Sequence, residues 1–372
     1  TVGPVKALKL SGALVTNNSF TNTTITNLTG VNATANVMAI ALDSNTDSNT
    51  FTTTNISGLT TTTGNAIGVY FEYATNSTFI DTTISDFNAK NSIGVQVLRG
   101  DTNELDNTVI SSLTGTISAA GINIQEPNPA QPTNNTVIDG GSISGLTAPS
   151  TTGVSVVSTS TTGVTNSTVN GMTIDMGPAS STTVATGIYV VDGSGFTITN
   201  NSVDNADTAI KIKNVTVPPT VDLSGNTLGS GNTIFIDSTG TTTIVDATTV
   251  TFVGITDPAD LAAKLIPAGG GGVITIDTTA PAQPVMADQT VQGGGTVNIP
   301  VVATGENAWL APTGTTTFAT GSTMTKVTGN GVVNTMLAPA DEGTYYLYLL
   351  DGNLNASTPS VGVVTVDNTA PT

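Results

Sequence analysis

The sequence of 372 residues contains no cysteine, no histidine and only one arginine, Arg99. Without these side chains the protein cannot form disulfides, zinc sites built on cysteine or histidine, or Ser-His-Asp and Cys-His catalytic sites. Lysine and arginine together number 8 against 26 aspartate and glutamate residues, which gives a net charge of −18. A chain this acidic repels phosphate groups, so nucleic acid is excluded as a partner.

Long apolar runs are also missing, and none approaches the roughly 18 residues of a membrane span. Charged residues make up only 9% of the chain, but apolar residues reach 37% and recur with a short period, so we expect a folded protein. The length is enough for about two domains. The chain starts at Thr1 without methionine, which indicates a processed or trimmed end.

A short segment recurs along the chain: an apolar residue, four mostly small or polar residues, and a second apolar residue. Its copies start 25 to 33 residues apart and read Phe20…Ile25, Phe51…Ile56, Phe79…Ile84, Leu105…Ile110, Ile138…Ile143, Val169…Ile174, Ile198…Val203 and Leu223…Leu228. Each copy is followed by two alternating apolar residues: Ile40/Leu42, Val69/Phe71, Val95/Val97, Ile122/Ile124, Val154/Val156, Ile188/Val190, Ile210/Ile212 and Ile234/Ile236. Alternation with period 2 predicts short strands with one buried face. A unit this small buries that face only when units stack.

This double repeat resembles the right-handed parallel β-helix family over about residues 5–255. The resemblance implies an all-β solenoid of about eight to nine coils, which we assign to residues 1–268. Within it, Val95, Ile122, Val154 and Ile188 should form one internal file of stacked side chains. We expect residues 257–266 (DPADLAAKLI) to form a short helix that caps the last coil, with Asp257 as its N-cap.

A second domain is predicted after a glycine-rich linker and joint at 269–280. The segment VITIDTTAP at 273–281 returns as VVTVDNTAP at 363–371, which suits a small sandwich. The run from Asp341 to Tyr345, DEGTY, resembles the tyrosine corner of immunoglobulin-like domains. That resemblance implies an antiparallel immunoglobulin-like β-sandwich over 281–372, in which the tyrosine hydroxyl bonds back to the main chain.

Stacking of the second strands predicts an outward surface on one sheet of the solenoid. Its aromatic and apolar members, which we assign to partner contact, are Tyr70, Leu98, Val157, Tyr189, Val191 and Phe235. An exposed apolar patch usually marks a contact with another molecule. The alternative is that a long loop from 126–152 covers these side chains.

The search for catalytic groups finds no convergent set. The chain has no Asp-Asp dipeptide, and Lys211 and Lys213 have Asp192 one coil earlier but no acidic cluster around them. Glycosidases need two carboxylates at a fixed separation. The sequence therefore predicts no catalytic residue and a protein that is not an enzyme.

Asp43, Asn45 and Asp47 copy the oxygen-ligand spacing that opens a calcium loop. The segment lacks glycine at the sixth position and an acid at the twelfth, so a plain Asn/Asp turn is favoured over a calcium site. No other cofactor is predicted.

The chain is rich in the N-x-[ST] signal for N-glycosylation, although a chain rich in threonine and asparagine also makes such signals by chance. The signals start at Asn17, Asn22, Asn27, Asn32, Asn55, Asn76, Asn134, Asn166, Asn200, Asn214 and Asn355.

Together these patterns favour an extracellular structural protein of the cell surface that self-assembles as a homo-oligomer into a surface layer or filament. The alternative is a carbohydrate-binding adhesin or host-attachment module, with polysaccharide as its partner and exposed tyrosine rings as its contacts. A third interpretation is a β-helix of the polysaccharide lyase or glycosidase type.

Overall fold

The computed structural model describes residues 4–12, 15–30, 36–43, 45–126, 132–158, 163–177, 184–213, 220–239, 244–247, 249–255, 258–266, 273–275, 279–352 and 354–369. The chain divides into two compact units: residues 1–249 with 264–275, and residues 250–263 with 276–372. No helix in the described ranges is long and apolar enough to cross a membrane. The predicted boundaries 1–268, 269–280 and 281–372 stay predictions, because most of the linker lies outside the described residues.

The secondary structure is almost entirely short strands. The strands up to the last wide coil are β1 (Val5–Ser11), β2 (Ser19–Thr21), β3 (Thr24–Thr26), β4 (Thr29–Gly30), β5 (Val37–Asp43), β6 (Thr50–Thr52), β7 (Asn55–Ser57), β8 (Thr60–Thr61), β9 (Asn65–Glu72), β10 (Thr78–Ile80), β11 (Thr83–Leu98), β12 (Glu104–Glu126), β13 (Thr133–Asn134), β14 (Val137–Ser144), β15 (Ser150–Ser158), β16 (Val164–Thr165), β17 (Thr168–Asn170), β18 (Thr173–Asp175) and β19 (Val184–Val191). The remaining elements are β20 (Phe196–Thr199), β21 (Ser202–Asp204), β22 (Thr208–Lys213), β23 (Thr220–Asp222), β24 (Thr227–Leu228), β25 (Ile234–Thr239), β26 (Ile244–Asp246), β27 (Thr251–Phe252), α1 (Pro258–Ala263), β28 (Leu265–Ile266), β29 (Val273–Thr275), β30 (Gln289–Val291), β31 (Thr296–Asn298), β32 (Asn307–Ala311), β33 (Thr325–Thr328), β34 (Thr335–Leu337), β35 (Gly343–Leu350) and β36 (Val363–Val366).

The first unit is a parallel β-helix of about eight coils. Each strand pairs in parallel with its equivalents one coil before and one coil after; β5, for example, pairs with β1 and with β9. One file in register runs through Leu8, Ile40, Val69, Val95, Ile122, Val154, Ile188, Ile210 and Ile236. From Ile40 onward these side chains are fully buried, so the predicted internal file is confirmed.

The first of the repeated apolar positions forms a second internal file. It begins with three stacked rings, whose centroids lie 4.6 Å apart between Phe20 and Phe51 and 4.4 Å apart between Phe51 and Phe79. The file continues through Leu105, Ile138, Val169 and Ile198. Such offset stacks add about 0.5–1.5 kcal/mol per pair beyond the burial of the rings.

A glycine file brings the corners of neighbouring coils into close contact. Its members are Gly68, Gly94, Gly121, Gly153 and Gly187. A Cβ atom on Gly121 would lie 2.7 Å from the carbonyl oxygen of Gly153 and 2.7 Å from a methyl group of Ile143. Glycine is therefore required here by lack of space rather than by backbone angle.

Many turns place one residue in the left-handed region, and this explains much of the glycosylation pattern. The signal asparagines with φ between 50° and 56° are Asn17, Asn22, Asn27, Asn76, Asn166 and Asn200. Asparagine tolerates this conformation better than most residues, so the recurrence follows from the coil geometry. Asn32 and Asn214 lie outside the described residues. Glycosylation itself stays a prediction.

The predicted helix at 257–266 is wrong in its extent. Helix α1 covers only Pro258–Ala263, and Asp257 lies outside the described residues. Leu265 instead pairs with Ile236 as part of β28, because two adjacent apolar residues extend the parallel ladder of β25. Capping of the last coil by α1 stays a prediction.

The second unit contains a five-stranded sheet in the order β30-β36-β35-β32-β33 and a two-stranded sheet of β31 and β34. Its pairings are antiparallel except for β30 with β36. The Tyr345 hydroxyl donates to the carbonyl oxygen of Asp341 at 2.8 Å, the backward bond expected of a tyrosine corner. Membership of the immunoglobulin-like class stays a prediction, supported by this hydrogen bond and the small antiparallel sheet.

Candidate functional site

A cleft lies at one corner of the β-helix, where the long strands of several coils end. It has a volume of about 660 Å³. Its lining residues, which we call the corner cleft, are Asn45, Tyr73, Thr75, Arg99, Gly100, Asp101, Pro132 and Asn134. They come from four successive coils, so stacking assembles a site whose members are far apart in the sequence.

Tyr73 and Arg99 occupy equivalent positions in the cleft, because each follows directly after a strand, β9 and β11 respectively. Both have positive φ, 59° and 55°. A residue other than glycine or asparagine in this conformation costs about 1–2 kcal/mol. Because positive φ recurs in other turns of the β-helix, at Thr53, Asp81 and Ser112 for example, this conformation follows from the coil geometry and does not by itself mark a site.

The Arg99 guanidinium links the two coils. Its Nη1 donates to Glu72 Oε1 at 3.0 Å and to the Tyr73 hydroxyl oxygen at 3.0 Å. Its central carbon lies 5.4 Å from the centroid of the Tyr73 ring. Because both charged side chains are partly exposed, the ion pair adds little stability. Its effect is to orient the ring and the guanidinium at the cleft.

A polar file runs along the same corner. Parallel bridges connect Asp47 to Thr75, Thr75 to Asp101, and Asp101 to Asn134. The Asp101 Oδ1 atom accepts from Thr102 Oγ1 at 3.1 Å and from Asn135 Nδ2 at 2.8 Å. These bonds fix the carboxylate at the cleft.

Asp47 is held by the neighbouring coil in a similar way. Hydrogen bonds from Thr75, Asn76 and Ser48 keep the pKa of the Asp47 carboxyl below its ordinary value. The Thr75 hydroxyl and the Asn76 amide donate to its Oδ1 at 2.7 and 2.8 Å. Asp47 therefore stays ionised beside the cleft.

A buried polar ladder supports this corner from inside. The backbone N–H of Ser77 donates to Asn103 Oδ1 at 3.1 Å, and Asn103 Nδ2 donates to the carbonyl of Ala74 at 2.8 Å. Buried polar groups that are fully hydrogen-bonded make a structure rigid. The turns that carry Tyr73 and Arg99 are therefore well anchored.

The predicted contact row is only partly on the surface. Tyr70 is 8% exposed; its hydroxyl donates to Glu72 Oε2 at 2.9 Å, and burial together with that carboxylate raises its pKa above the ordinary value. Leu98, Val157, Tyr189 and Val191 are half-buried, with Val157 and Val191 in register. Coverage by a loop from 126–152 involves residues 127–131, which lie outside the described residues.

Phe235 is wrongly placed in that row. Its exposure is 0%, and Lys211 pairs in register with Asp237, so Asp237 holds the predicted outward position. Phe235 instead follows Ala209 in the glycine file, the position that glycine occupies in earlier coils. The sequence pattern predicted Ile234 and Ile236 as the internal pair of this coil. In the structure the internal pair is Ile236 and Ser238, so the predicted register was two residues too early.

Two of the three candidate calcium ligands, Asp43 and Asp47, are held by different partners. Asp43 contacts Lys6 and Lys9 at 3.0 and 3.3 Å, whereas Asp47 contacts the next coil. Burial opposes ionisation of Asp43, but hydrogen bonds from Ser11 and Lys6 outweigh it and lower the pKa. Among the described residues no three acidic side chains converge as a metal site. Calcium binding stays a prediction.

The corner cleft was not predicted from the sequence. The tripeptide Arg99-Gly100-Asp101 follows directly after strand β11, and nothing in its local sequence predicts a cleft. The other lining residues lie 24 to 56 positions away from it, in other turns. Tyr73 and Arg99 are the bulkiest side chains at the positive-φ turn positions of the β-helix, and their size is the one local signal.

Comparison with curated proteins gives no match. Among solved structures, a double mutant of the tailspike protein of E. coli bacteriophage HK620 is similar, with 9% identity and a TM-score of 0.35 over 85% of this chain and 74% of that chain. The tailspike protein of the same phage in complex with a pentasaccharide has 8% identity and a TM-score of 0.36, over 83% of this chain and 73% of the other.

Residues 67–250 match the family model "Right handed beta helix region". This fold is common in glycosidases and lyases, so the prediction that the chain is not an enzyme is wrong. The prediction rested on the lack of an Asp-Asp dipeptide and of an acidic cluster near Lys211 and Lys213, and neither absence excludes catalysis elsewhere on the β-helix. The first unit of this chain is a right-handed parallel β-helix.

Proposed function

We propose that the protein binds an extracellular polysaccharide through the corner cleft and serves in attachment. The observation that carries the proposal is the arrangement of Tyr73, Arg99 and Asp101, in which an aromatic ring, a guanidinium and a carboxylate from neighbouring coils line one cleft. Aromatic rings pack against sugar rings, and fixed polar groups bind hydroxyls.

The shape of the site suits a polymer. Its volume of about 660 Å³ lies in the range of ligand sites, roughly 300–1,000 Å³. Beyond Asn134 the polar file continues to Thr165 and Ser194 along the same corner. Successive coils are about 4.8 Å apart, so a long chain can contact equivalent positions on several of them.

The location at the cell surface is part of this proposal, because polysaccharides are abundant there. Self-assembly into a layer or filament stays a prediction. Strand β36 pairs on both sides within its own sheet, with β35 and β30, which leaves it no free edge for a neighbouring molecule.

The test is a polysaccharide panel screened by affinity electrophoresis with the full chain and two variants. Tyr73→Ala removes the ring from the cleft, and Tyr189→Ala is the matched control on the outer face of the sheet. We expect at least one polysaccharide to retard the wild type and the control, and Tyr73→Ala to bind about tenfold more weakly. Binding that only Tyr189→Ala abolishes, or no binding, would refute the proposal.

The same mixtures are assayed for new reducing or unsaturated ends. Release of ends that disappears in Tyr73→Ala would assign cleavage to the corner cleft as well. Release that persists in this variant would place cleavage elsewhere on the β-helix.

A further inference from the structure

Resting on the proposed function, we infer that the corner cleft selects an uncharged glycan with neighbouring hydroxyl groups and discriminates against glycans that carry uronate carboxylates. The basis is the pairing of charges and the unused hydrogen-bonding atoms of three cleft residues, Arg99, Asp101 and Asn134.

The positive charge of the cleft is already paired. Arg99 is the only lysine or arginine among the described lining residues, and its Nη1 lies 3.0 Å from Glu72 Oε1. A uronate that approached Arg99 would compete with this carboxylate, which is on the preceding coil and in place before any ligand arrives. Nη1 also donates to the Tyr73 hydroxyl and Nε is buried, so the guanidinium does not present two accessible parallel donors to an anion.

The remaining charge is negative. Asp101 lines the cleft, and Asp47 lies in the same file on the other side of Thr75. Asp47 and Asp101 each lie one coil, about 4.8 Å, from Thr75. A carboxylate on the ligand would therefore meet like charges at short range in a chain of net charge −18.

The free hydrogen-bonding atoms fit hydroxyl groups. Asp101 Oδ1 is occupied by Thr102 and Asn135, but no described residue donates to its Oδ2. Asn134 Oδ1 accepts from Thr165 Oγ1 at 2.6 Å, and within the described ranges its Nδ2 has no acceptor. The cleft thus offers a carboxyl oxygen as acceptor and an amide as donor. A hydroxyl satisfies both, whereas a carboxylate only accepts.

The test compares acidic polysaccharides with their carboxyl-reduced forms, which keep the backbone and lose the charge. Polygalacturonate, alginate and xanthan, each with its reduced product, are titrated against the full chain at constant ionic strength. Wherever a reduced form binds, we expect the acidic form to bind at least tenfold more weakly. An acidic form that binds as tightly as its reduced form, in a Tyr73-dependent manner, overturns this inference but leaves the proposed function intact.

A substitution separates charge from shape. Asp101→Asn keeps the size of the side chain and removes its charge, so we expect weaker binding of the uncharged form and a selectivity ratio at least threefold smaller. Asp106→Asn, on strand β12 away from the cleft, is the control. It should leave the affinity for the uncharged form and the selectivity ratio unchanged. An unchanged ratio in Asp101→Asn contradicts the inference. If no polysaccharide, acidic or neutral, binds at the cleft, the proposed function fails along with it.

Discussion

Arg99 reaches back across one coil to Glu72, with 3.0 Å between Nη1 and Oε1. The pair joins the turn of Tyr73 to the turn of Arg99, and both of these residues have positive φ. The same Nη1 atom also donates to the Tyr73 hydroxyl oxygen. The orientation of the cleft therefore depends on a contact between coils and not on one loop alone.

Glu72→Gln should weaken polysaccharide binding while leaving the fold stable. The amide keeps the size of the side chain but lacks the charge that holds Arg99, so we expect a several-fold loss of affinity. Partly exposed ion pairs contribute only about 0–1 kcal/mol, so the unfolding free energy should change little. Affinity electrophoresis and urea unfolding measure the two effects. Glu104→Gln, exposed on β12, is the control; equal affinities for both variants would contradict this role of Glu72.

Phe51→Ala should destabilise the β-helix more than Phe20→Ala. Phe51 is fully buried between two rings, whereas Phe20 is half-buried at the end of the stack. Truncation of a buried phenylalanine costs about 3–5 kcal/mol, and the end position should cost clearly less. Equilibrium denaturation of both variants checks the order; similar losses would mean that the stack does not control stability.

Gly121→Ala should cost about 1–3 kcal/mol through overpacking. The added methyl group would lie 2.7 Å from the Gly153 carbonyl oxygen and would force adjacent coils apart. Gly321→Ala is the matched control, because nothing lies within 4 Å of the position of its Cβ. Thermal unfolding should show a lower midpoint only for Gly121→Ala, and a stable variant would show that the coil corner can relax.

Asn200 tests the explanation of the glycosylation signals by turn geometry. With φ of 56°, this position should accept glycine but not alanine. Both variants lose the hydrogen bond from Nδ2 to Asn170 Oδ1, so their difference isolates the backbone term. We expect Asn200→Ala to be about 1 kcal/mol less stable than Asn200→Gly. Equal stabilities of the two variants would mean that the recurrence of the glycosylation signals reflects only the high content of asparagine and threonine.

Asp47 should make stability depend on pH in the acid range. Its pKa in the folded protein lies below the ordinary 3.8 because Thr75, Asn76 and Ser48 donate to the carboxylate. The folded state then binds the proton less readily than the unfolded chain, so the stabilisation is present above pH 3.8 and is lost as the pH falls through the lower folded value.

Asp47→Asn should therefore be less stable than the wild type near neutral pH and equal to it at strongly acidic pH. Urea unfolding at a series of pH values measures this convergence, with Glu104→Gln as an exposed control. A difference that stays constant with pH would show that the hydrogen bonds, and not the charge, carry the effect.

The solenoid could be predicted from the sequence because inward positions are filled by aliphatic and phenylalanine side chains at a regular spacing. Val95 and Ile122 are in register as the alternation requires. The prediction failed where the inward residue is not aliphatic. Ser238 takes the internal position next to Ile212, and the apolar Ile234, two residues before Ile236, shifted the predicted register by two residues.

The cleft could not be predicted, because its position depends on turns of unequal length. A turn residue has no alternation to mark which way its side chain points, and the partners of Tyr73 come from other coils. The tyrosine corner shows the opposite case. Asp341 and Tyr345 are close in sequence, so the backward hydrogen bond at 2.8 Å followed from a local motif.

The shared register of the coils has an evolutionary consequence. Because each rung touches only the rungs directly above and below it, duplication or deletion of one complete rung leaves every other interface unchanged. A rod of this kind can lengthen or shorten in single genetic steps, and any recognition feature on its edge can be moved outward or repeated without redesign of its interior.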